Sequence, residues 1–430
     1  MTSTETMIER RNRLLGRAYQ LFYERPVHIV KGKGVWLTDA DGNRYLDVYN
    51  NVPHVGHCHP HVVEAICKQV QTLNTHTRYL HETVLEYAEM LTAKFPVGMD
   101  IAMFACTGTE ANELALRIAR ASTGGNGFIA TENAYHGNSW AIDQITTSSQ
   151  SHLTREDNVV TVPAPDVYRG LYSGEEAGMK YAAHLVEAVG TLRQRGYQPA
   201  AFIVDTIFCS DGLPRAPHDY LGHALEIVHR AGGVFVADEV QAGFGRTGTK
   251  FWGYQNHGVV PDIVTMGKPM ANGHPVSAVV TSAGVVDSFR EKSHYFNTFG
   301  GNPVSCAAAK AVLEVIEHED LQANALNVGR HLQDGLAGLA KRHRIIGDVR
   351  GSGLFIGVEL VQDRETRVPA ADEARWMIND LRDQGVLIGE TGAADNVLKI
   401  RPPMVFNRSH ADLLLDRLDQ SFTRLNDRDL

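Results

Sequence analysis

Short apolar runs punctuate the middle of the chain, at residues 102–105, 127–131, 159–162, 201–204, 234–237, 263–266 and 278–281. Most are continuous stretches of apolar or β-branched residues without polar alternation, the pattern of strands covered on both faces. Between them the period changes. Ala111, Leu114, Ala115, Ile118 and Ala119 share one face of a helix, as do Leu221, Leu225 and Val228, where Gly232-Gly233 supplies the stop. Strands alternating with helices predict an α/β fold with a mostly parallel sheet. The ends of the chain read differently. Val35-Trp36-Leu37-Thr38 and Tyr45-Leu46-Asp47-Val48 flank an Asp41-Gly42 turn signal, which predicts a hairpin. From about residue 320 the pattern predicts a helix, a glycine-rich strand at 351–359, a second helix and a strand at 397–401. The expected organisation is a large domain over residues 61–319 and a small α+β domain built from both ends, residues 1–60 and 320–430.

Composition narrows the class. The 430 residues are 43% hydrophobic and 21% charged, which suits a globular protein and not a disordered one. A formal net charge of −9 argues against a nucleic-acid-binding surface, though not against a local cationic pocket. The five cysteines are scattered, with no C-x-x-C pair, so reduced thiols in a reducing compartment are expected. The charged N-terminal stretch lacks the apolar core of a signal peptide, and no apolar run is long enough to span a bilayer. A cytoplasmic protein is the expectation.

The residues that carry chemistry sit at predicted strand ends. Asp238 follows the run at 234–237, and Lys268 follows the run at 263–266. Ligands of open α/β sheets bind at that edge. A carboxylate and an amine converging there suit pyridoxal 5′-phosphate, which needs a lysine for its Schiff base and an acid for its ring nitrogen. Taken singly, each also fits a helix cap or a solvated loop lysine. Cys106-Thr107-Gly108-Thr109-Glu110-Ala111 follows a strand and opens a helix, a cradle for phosphate or an ordinary N-cap. Tyr135-His136-Gly137 offers an aromatic face for a pyridine ring. Two other patterns carry less. His54, His57, His59 and His61 beside Cys58 lack a second ligand group at a structural-zinc spacing, so no metal is expected. Asp238-Glu239 is not a glycosidase pair, because adjacent residues at a strand end point apart.

Taken together, these elements resemble the class III aminotransferases, fold-type I pyridoxal-phosphate enzymes, over nearly the whole chain. The resemblance rests on Gly56-His57-Cys58-His59-Pro60, Thr107-Gly108-Thr109-Glu110-Ala111-Asn112-Glu113, Tyr135-His136-Gly137, the run from Asp238-Glu239-Val240-Gln241 to Gly248, Lys268, and Thr298-Phe299-Gly300-Gly301-Asn302-Pro303. It implies that Lys268 binds the cofactor covalently, that Asp238 meets its ring nitrogen and that Gln241 lies near its ring hydroxyl. Tyr135, with His136 beside it, and Val240 would sandwich the ring, and Thr107, Gly108 and Thr109 would hold its phosphate. Thr298 would reach the cofactor of a partner subunit, which implies a homodimer.

One stretch departs from the family. A Glu-Pro-x-x-Gly-x-Gly-Gly-like pattern is replaced by Asp205-Thr206-Ile207-Phe208-Cys209-Ser210-Asp211-Gly212, which counts against transamination of the usual dicarboxylate partner. Segments 50–60, 74–81, 266–275 and 397–403 look like the phospho-lyase branch that acts on O-phosphoethanolamine and phosphohydroxylysine. The resemblance therefore implies elimination of phosphate from O-phosphoethanolamine or a similar phosphorylated amine. An ω-amino acid:2-oxo acid aminotransferase is the alternative, and a non-catalytic protein of the same fold is a second. A leaving phosphate needs cations, and Arg78, Lys399 and Arg401 are the expected ones, with Asn51 beside them. Lys31 and Lys33 read as solvated surface charges.

Overall fold

The computed structural model describes residues 4–16, 18–148 and 155–428. Its centre is a seven-stranded sheet in the spatial order Ile101–Ala105, Ser277–Thr281, Ile263–Met266, Val234–Asp238, Pro199–Asp205, Gly127–Thr131, Val159–Val162. Ser277–Thr281 runs antiparallel to both neighbours, and the other pairings are parallel. Every residue of the strands Pro199–Asp205, Val234–Asp238 and Ile263–Met266 is buried, which is why their sequences are mostly apolar rather than alternating.

The helix Gly108–Thr123 crosses this sheet with the expected stripe inward: Ala111, Leu114, Ala115, Ile118 and Ala119 are all buried. Removing each leucine-sized side chain from water contributes about 2 kcal/mol. The helix begins with a capping box, in which Thr107 accepts from the Glu110 amide and Glu110 accepts from the Thr107 amide. It stops at Gly124, whose φ of 71° only glycine adopts readily.

The two ends of the chain share a sheet. Trp36–Asp39 and Arg44–Asp47 form the expected hairpin, and Val386–Leu387 pairs parallel to its second strand, Val386 opposite Leu46. A further antiparallel sheet takes the order Ile346–Ser352, Phe355–Leu360, Val397–Ile400, Gly389–Thr391. Here the expected single strand at 351–359 is instead a tight hairpin. Gly353 has a φ of 55°, and a Cβ on it would lie 2.4 Å from the Arg246 carbonyl oxygen, so the glycines mark a reversal rather than a strand interior. Arg350, on the first of these strands, ties this sheet to the central domain. Its guanidinium donates to the Gly212 and Leu213 carbonyls and pairs with Glu359 at 2.5 Å. Among the described residues, no helix is long and apolar enough to cross a membrane.

Candidate active site

Because Val234–Asp238 and Ile263–Met266 are parallel neighbours, their C-terminal ends open on one edge of the sheet. Asp238 is the last residue of its strand, and Lys268 follows the next by two positions. Asp238 is buried and held on all sides. Its Oδ2 accepts from Asn112 Nδ2 at 2.9 Å and lies 2.7 Å from His136 Nδ1, while Oδ1 accepts from the Val240 amide at 3.0 Å. Asn112 is oriented in turn by Thr265, whose hydroxyl donates to Asn112 Oδ1 at 2.6 Å. Glu239 points elsewhere, accepting from Thr206 and from the amides of Gly253 and Tyr254.

Gly108, Thr109, Asn112, Tyr135, His136, Gly137, Asp205, Asp238, Val240, Gln241 and Lys268 surround one cavity of about 120 Å³. These residues fit pyridoxal phosphate. Lys268 would supply the amine, Asp238 the acid, and Tyr135 and Val240 the apolar walls. Glycines keep the cradle open: a Cβ on Gly108 would lie 3.1 Å from Val240 Cγ2, and one on Gly137 would lie 2.4 Å from Thr109 Oγ1. Gly137 also has a φ of 140°. Gly137→Ala is therefore expected to displace Thr109 and weaken cofactor binding about tenfold or more, at a strain of roughly 1–3 kcal/mol. A cofactor dissociation constant unchanged in this variant would show that Thr109 does not serve the cradle. Thr107 does not line the cavity, because its hydroxyl is spent on the helix cap.

Burial lowers the pKa of the Lys268 amine, and the positive charge of Arg401 lowers it further, with Asp238, Cys209 and Asp205 opposing. Arg401 donates to Gln241 Oε1 and stands 4.4 Å from the ring centre of Tyr49, and its Nε is buried without a partner. Lys399, two positions earlier on the strand, is also buried and faces a neighbouring cavity of about 450 Å³ that Tyr49, Ser148 and Ser210 also line. Asn51 is buried, with Nδ2 unpartnered.

The remaining expected residues are not brought to this cavity within one chain. Thr298 is exposed. Arg78 is exposed as well, with its guanidinium 3.9 Å above the Phe296 ring. The four histidines near Cys58 diverge to separate partners. His54 reaches the Phe244 carbonyl, His57 Asp47, His59 Glu319 and His61 Glu314. Asn112, Thr265 and Asp205 belong to the site although sequence reasoning gave them no role. Asn112 lay within a quoted motif and Asp205 opened the departing segment, whereas nothing local marked Thr265.

A lysine and a carboxylate at adjoining strand ends, beside a glycine-lined helix start, define a pyridoxal-phosphate enzyme of fold type I. Comparison with known proteins gives the family. The description "Aminotransferase class-III" matches residues 21–422, and the chain belongs to that family. A Drosophila melanogaster protein named alanine–glyoxylate aminotransferase 2-like is 43% identical over 96% of this chain and 86% of its own length. A Caenorhabditis elegans protein named ethanolamine-phosphate phospho-lyase homolog 1 is 38% identical over 99% and 94%. Among solved structures, an Arthrobacter phospholyase in complex with phosphoethanolamine superposes with a TM-score of 0.94 at 44% identity, covering 97% of this chain and 99% of that one.

Proposed function

We propose that this chain is a phospho-lyase that eliminates phosphate from O-phosphoethanolamine or a similar phosphorylated amine, giving acetaldehyde, ammonia and phosphate. The observation that carries the reading is a group of buried cations beside the cofactor cavity whose nearest polar partners are neutral. Arg401 is held by Gln241 and Tyr49, and Lys399 by the Cys209 side chain. Burial and the Arg401 charge disfavour the charged form of Lys399 and Asp205 favours it, so a bound dianion would gain from both cations. Similarity to the Arthrobacter phospholyase and to the C. elegans homologue supports the same reading.

Pyridoxal phosphate supplies an electron sink for the pair left when a proton leaves the carbon bearing the amine. Lys268 takes that proton, and its lowered pKa raises the fraction of neutral amine able to do so near neutrality. Asp238 keeps the ring nitrogen protonated. Arg401 and Lys399 orient the phosphate, with Asn51 beside them. The bond from carbon to the phosphate oxygen then breaks, its electrons leave on phosphate, and a carbon–carbon double bond forms. Water hydrolyses the released enamine to acetaldehyde and ammonia.

The protein acts as a homodimer in this reading. Arg78 and Thr298 lie among exposed apolar groups, Tyr79, Leu80, Phe296 and Phe299, a surface suited to a second copy. Arg78 would then serve the partner's substrate phosphate and Thr298 the partner's cofactor. All five cysteines are free, which suits a reducing cytoplasm.

The alternative, amino transfer to a 2-oxo acid, is favoured by the name of the Drosophila relative. The deciding experiment measures phosphate and acetaldehyde release from O-phosphoethanolamine beside amino transfer from alanine to glyoxylate. Phosphate release without an oxo acid supports the lyase, and efficient transfer with no phosphate release overturns it. Within the lyase reading, Arg401→Gln is expected to lower kcat/KM for O-phosphoethanolamine about a hundredfold, roughly 3 kcal/mol, with cofactor still loaded. An unchanged value would remove Arg401 from the phosphate site.

A further inference from the structure

The N-terminal hairpin carries a cleft separate from the cofactor cavity. Its strands Ile29–Lys33, Trp36–Asp39 and Arg44–Asp47 are antiparallel, and their register sets Lys31 opposite Thr38, Thr38 opposite Arg44, and Lys33 opposite Trp36. Residues directly opposed in a sheet share a face, so all five stand on one side. The intervening Leu37 and Tyr45 turn to the other side, where they pack with Leu387. Val405 and His410, from the C-terminal part of the chain, help close the first face into a cleft of about 700 Å³. None of its lining residues lines the cofactor cavity or the 450 Å³ cavity beside it.

The cleft is cationic on an acidic protein. Lys31, Lys33 and Arg44 line it and no carboxylate does, although the whole chain carries a formal charge of −9. Among the described residues, none of these three cations forms an ion pair. Nearby acids are engaged elsewhere: Asp39 accepts from the Asp41 and Asn43 amides and the Tyr45 hydroxyl, and Asp47 meets His57. Like charges gathered without a counterion repel, so an anion bound among them relieves that repulsion. Singly, Lys31 and Lys33 read as solvated charges, but the register adds Arg44 and an aromatic floor to them. The Arg44 guanidinium lies 4.5 Å from the centre of the Trp36 ring, a contact that fixes its planar fork. His410 meets Trp36 edge to face, with ring centres 5.9 Å apart. Burial lowers the His410 pKa and its Nδ1 accepts from the Asn407 amide, so it joins the floor as a neutral ring with a donor at Nε2.

We infer that this cleft binds a nucleotide carrying two or three phosphates, with its base on the floor of Trp36, Val405 and His410 and its phosphates along Lys31, Lys33 and Arg44. Two features select that class. The cations are spread across three strands, so the backbones of Lys31 and Arg44 stand two strand spacings apart, about 10 Å, which suits a chain of phosphates better than a single one. The floor is apolar and aromatic, and a planar base covers it where a bare polyphosphate would leave it wet. A hollow bounded by two distant parts of the chain also favours one small molecule over an extended strand of nucleic acid. The site stands apart from the cofactor and from the choice between phosphate elimination and amino transfer, so either can fail without the other.

Calorimetric titration of the cofactor-loaded enzyme with ATP tests the site. One ATP per chain is expected to bind, about tenfold or more tighter than either tripolyphosphate or adenosine, and to weaken as salt is raised. The double variant Lys31→Gln/Lys33→Gln and the single variant Arg44→Gln change exposed positions, so the fold should persist in both. Each should weaken ATP binding about tenfold or more. Arg401→Gln should leave it unchanged, because Arg401 belongs to the cofactor side. Tripolyphosphate binding as tightly as ATP would remove the base from the site and overturn the assignment. A single-stranded oligonucleotide that binds more tightly than ATP would do the same, since the face would then serve nucleic acid. ATP binding that is absent, that survives both cleft variants, or that is lost with Arg401→Gln equally refutes the proposal.

Discussion

Lys268→Ala is expected to abolish turnover, by at least about 10⁴-fold or roughly 5 kcal/mol, and to remove the cofactor linkage that borohydride fixes to the protein. The reasons are geometric and electrostatic. Among the residues that line the cofactor cavity, Lys268 is the one that carries an amine. Its burial and the nearby Arg401 charge disfavour the ammonium form, so the neutral amine is available both to bind the cofactor and to take a proton. The wild-type rate should rise with pH as Lys268 deprotonates, over a range lower than that of a free lysine. Alanine removes both roles and leaves space, so an added small amine is expected to restore part of the activity, more so at higher pH. Peptide mapping after borohydride treatment checks the linkage. A variant that still carries cofactor on a different lysine would move the attachment site.

How much of this site was visible in the chain depends on where each residue's partners lie. Asp238 and Lys268 were legible because each lies within two residues of the end of an apolar run, and parallel strands must deliver both to the same edge. The helix at Gly108–Thr123 was legible for the same local reason, through its apolar stripe, while the Thr107–Glu110 capping box emerges only in the structure. Thr265 was not. It sits inside a strand that reads as apolar, and its contact with Asn112, at 2.6 Å, appears only when the helix Gly108–Thr123 packs on that strand. The role of Asn112 likewise depends on His136 and Asp238 meeting it from other segments. The glycine-rich stretch near residue 353 misled in the opposite sense. The pattern predicted one glycine-rich strand at 351–359, whereas positive φ at Gly351 and Gly353 turns the chain into a hairpin. Arg78 and Thr298 were marked by resemblance alone. On a single chain they are surface residues, and no local pattern distinguishes a surface residue that completes a partner's site from one that meets only water.

Asp238→Asn should lower kcat on the order of a thousandfold, about 4 kcal/mol, while the protein stays folded and cofactor-loaded. The two side chains have nearly the same shape, so the cavity keeps its volume. The hydrogen bonds change more. The carboxylate now accepts from Asn112, from His136 and from the Val240 amide. An asparagine amide can keep the Val240 contact through its oxygen but then presents N–H groups toward Asn112 and His136. His136 can answer by moving its proton to Nε2, which has no competing partner, so that Nδ1 becomes an acceptor. That second tautomer relieves the conflict at His136, and Asn112 loses one of its contacts while keeping those to the His136 carbonyl and Thr265, so the fold should tolerate the change. The cofactor cannot compensate in the same way, because its ring nitrogen loses the anion that keeps it protonated, and the electron sink weakens. Proton removal by Lys268 then becomes fully rate-limiting. Substrate deuterated at the carbon bearing the amine should show a larger isotope effect on kcat in the variant than in the unmodified enzyme, with KM little altered. A well-loaded Asp238→Asn protein with near-normal kcat and an unchanged isotope effect would mean that another group protonates the ring.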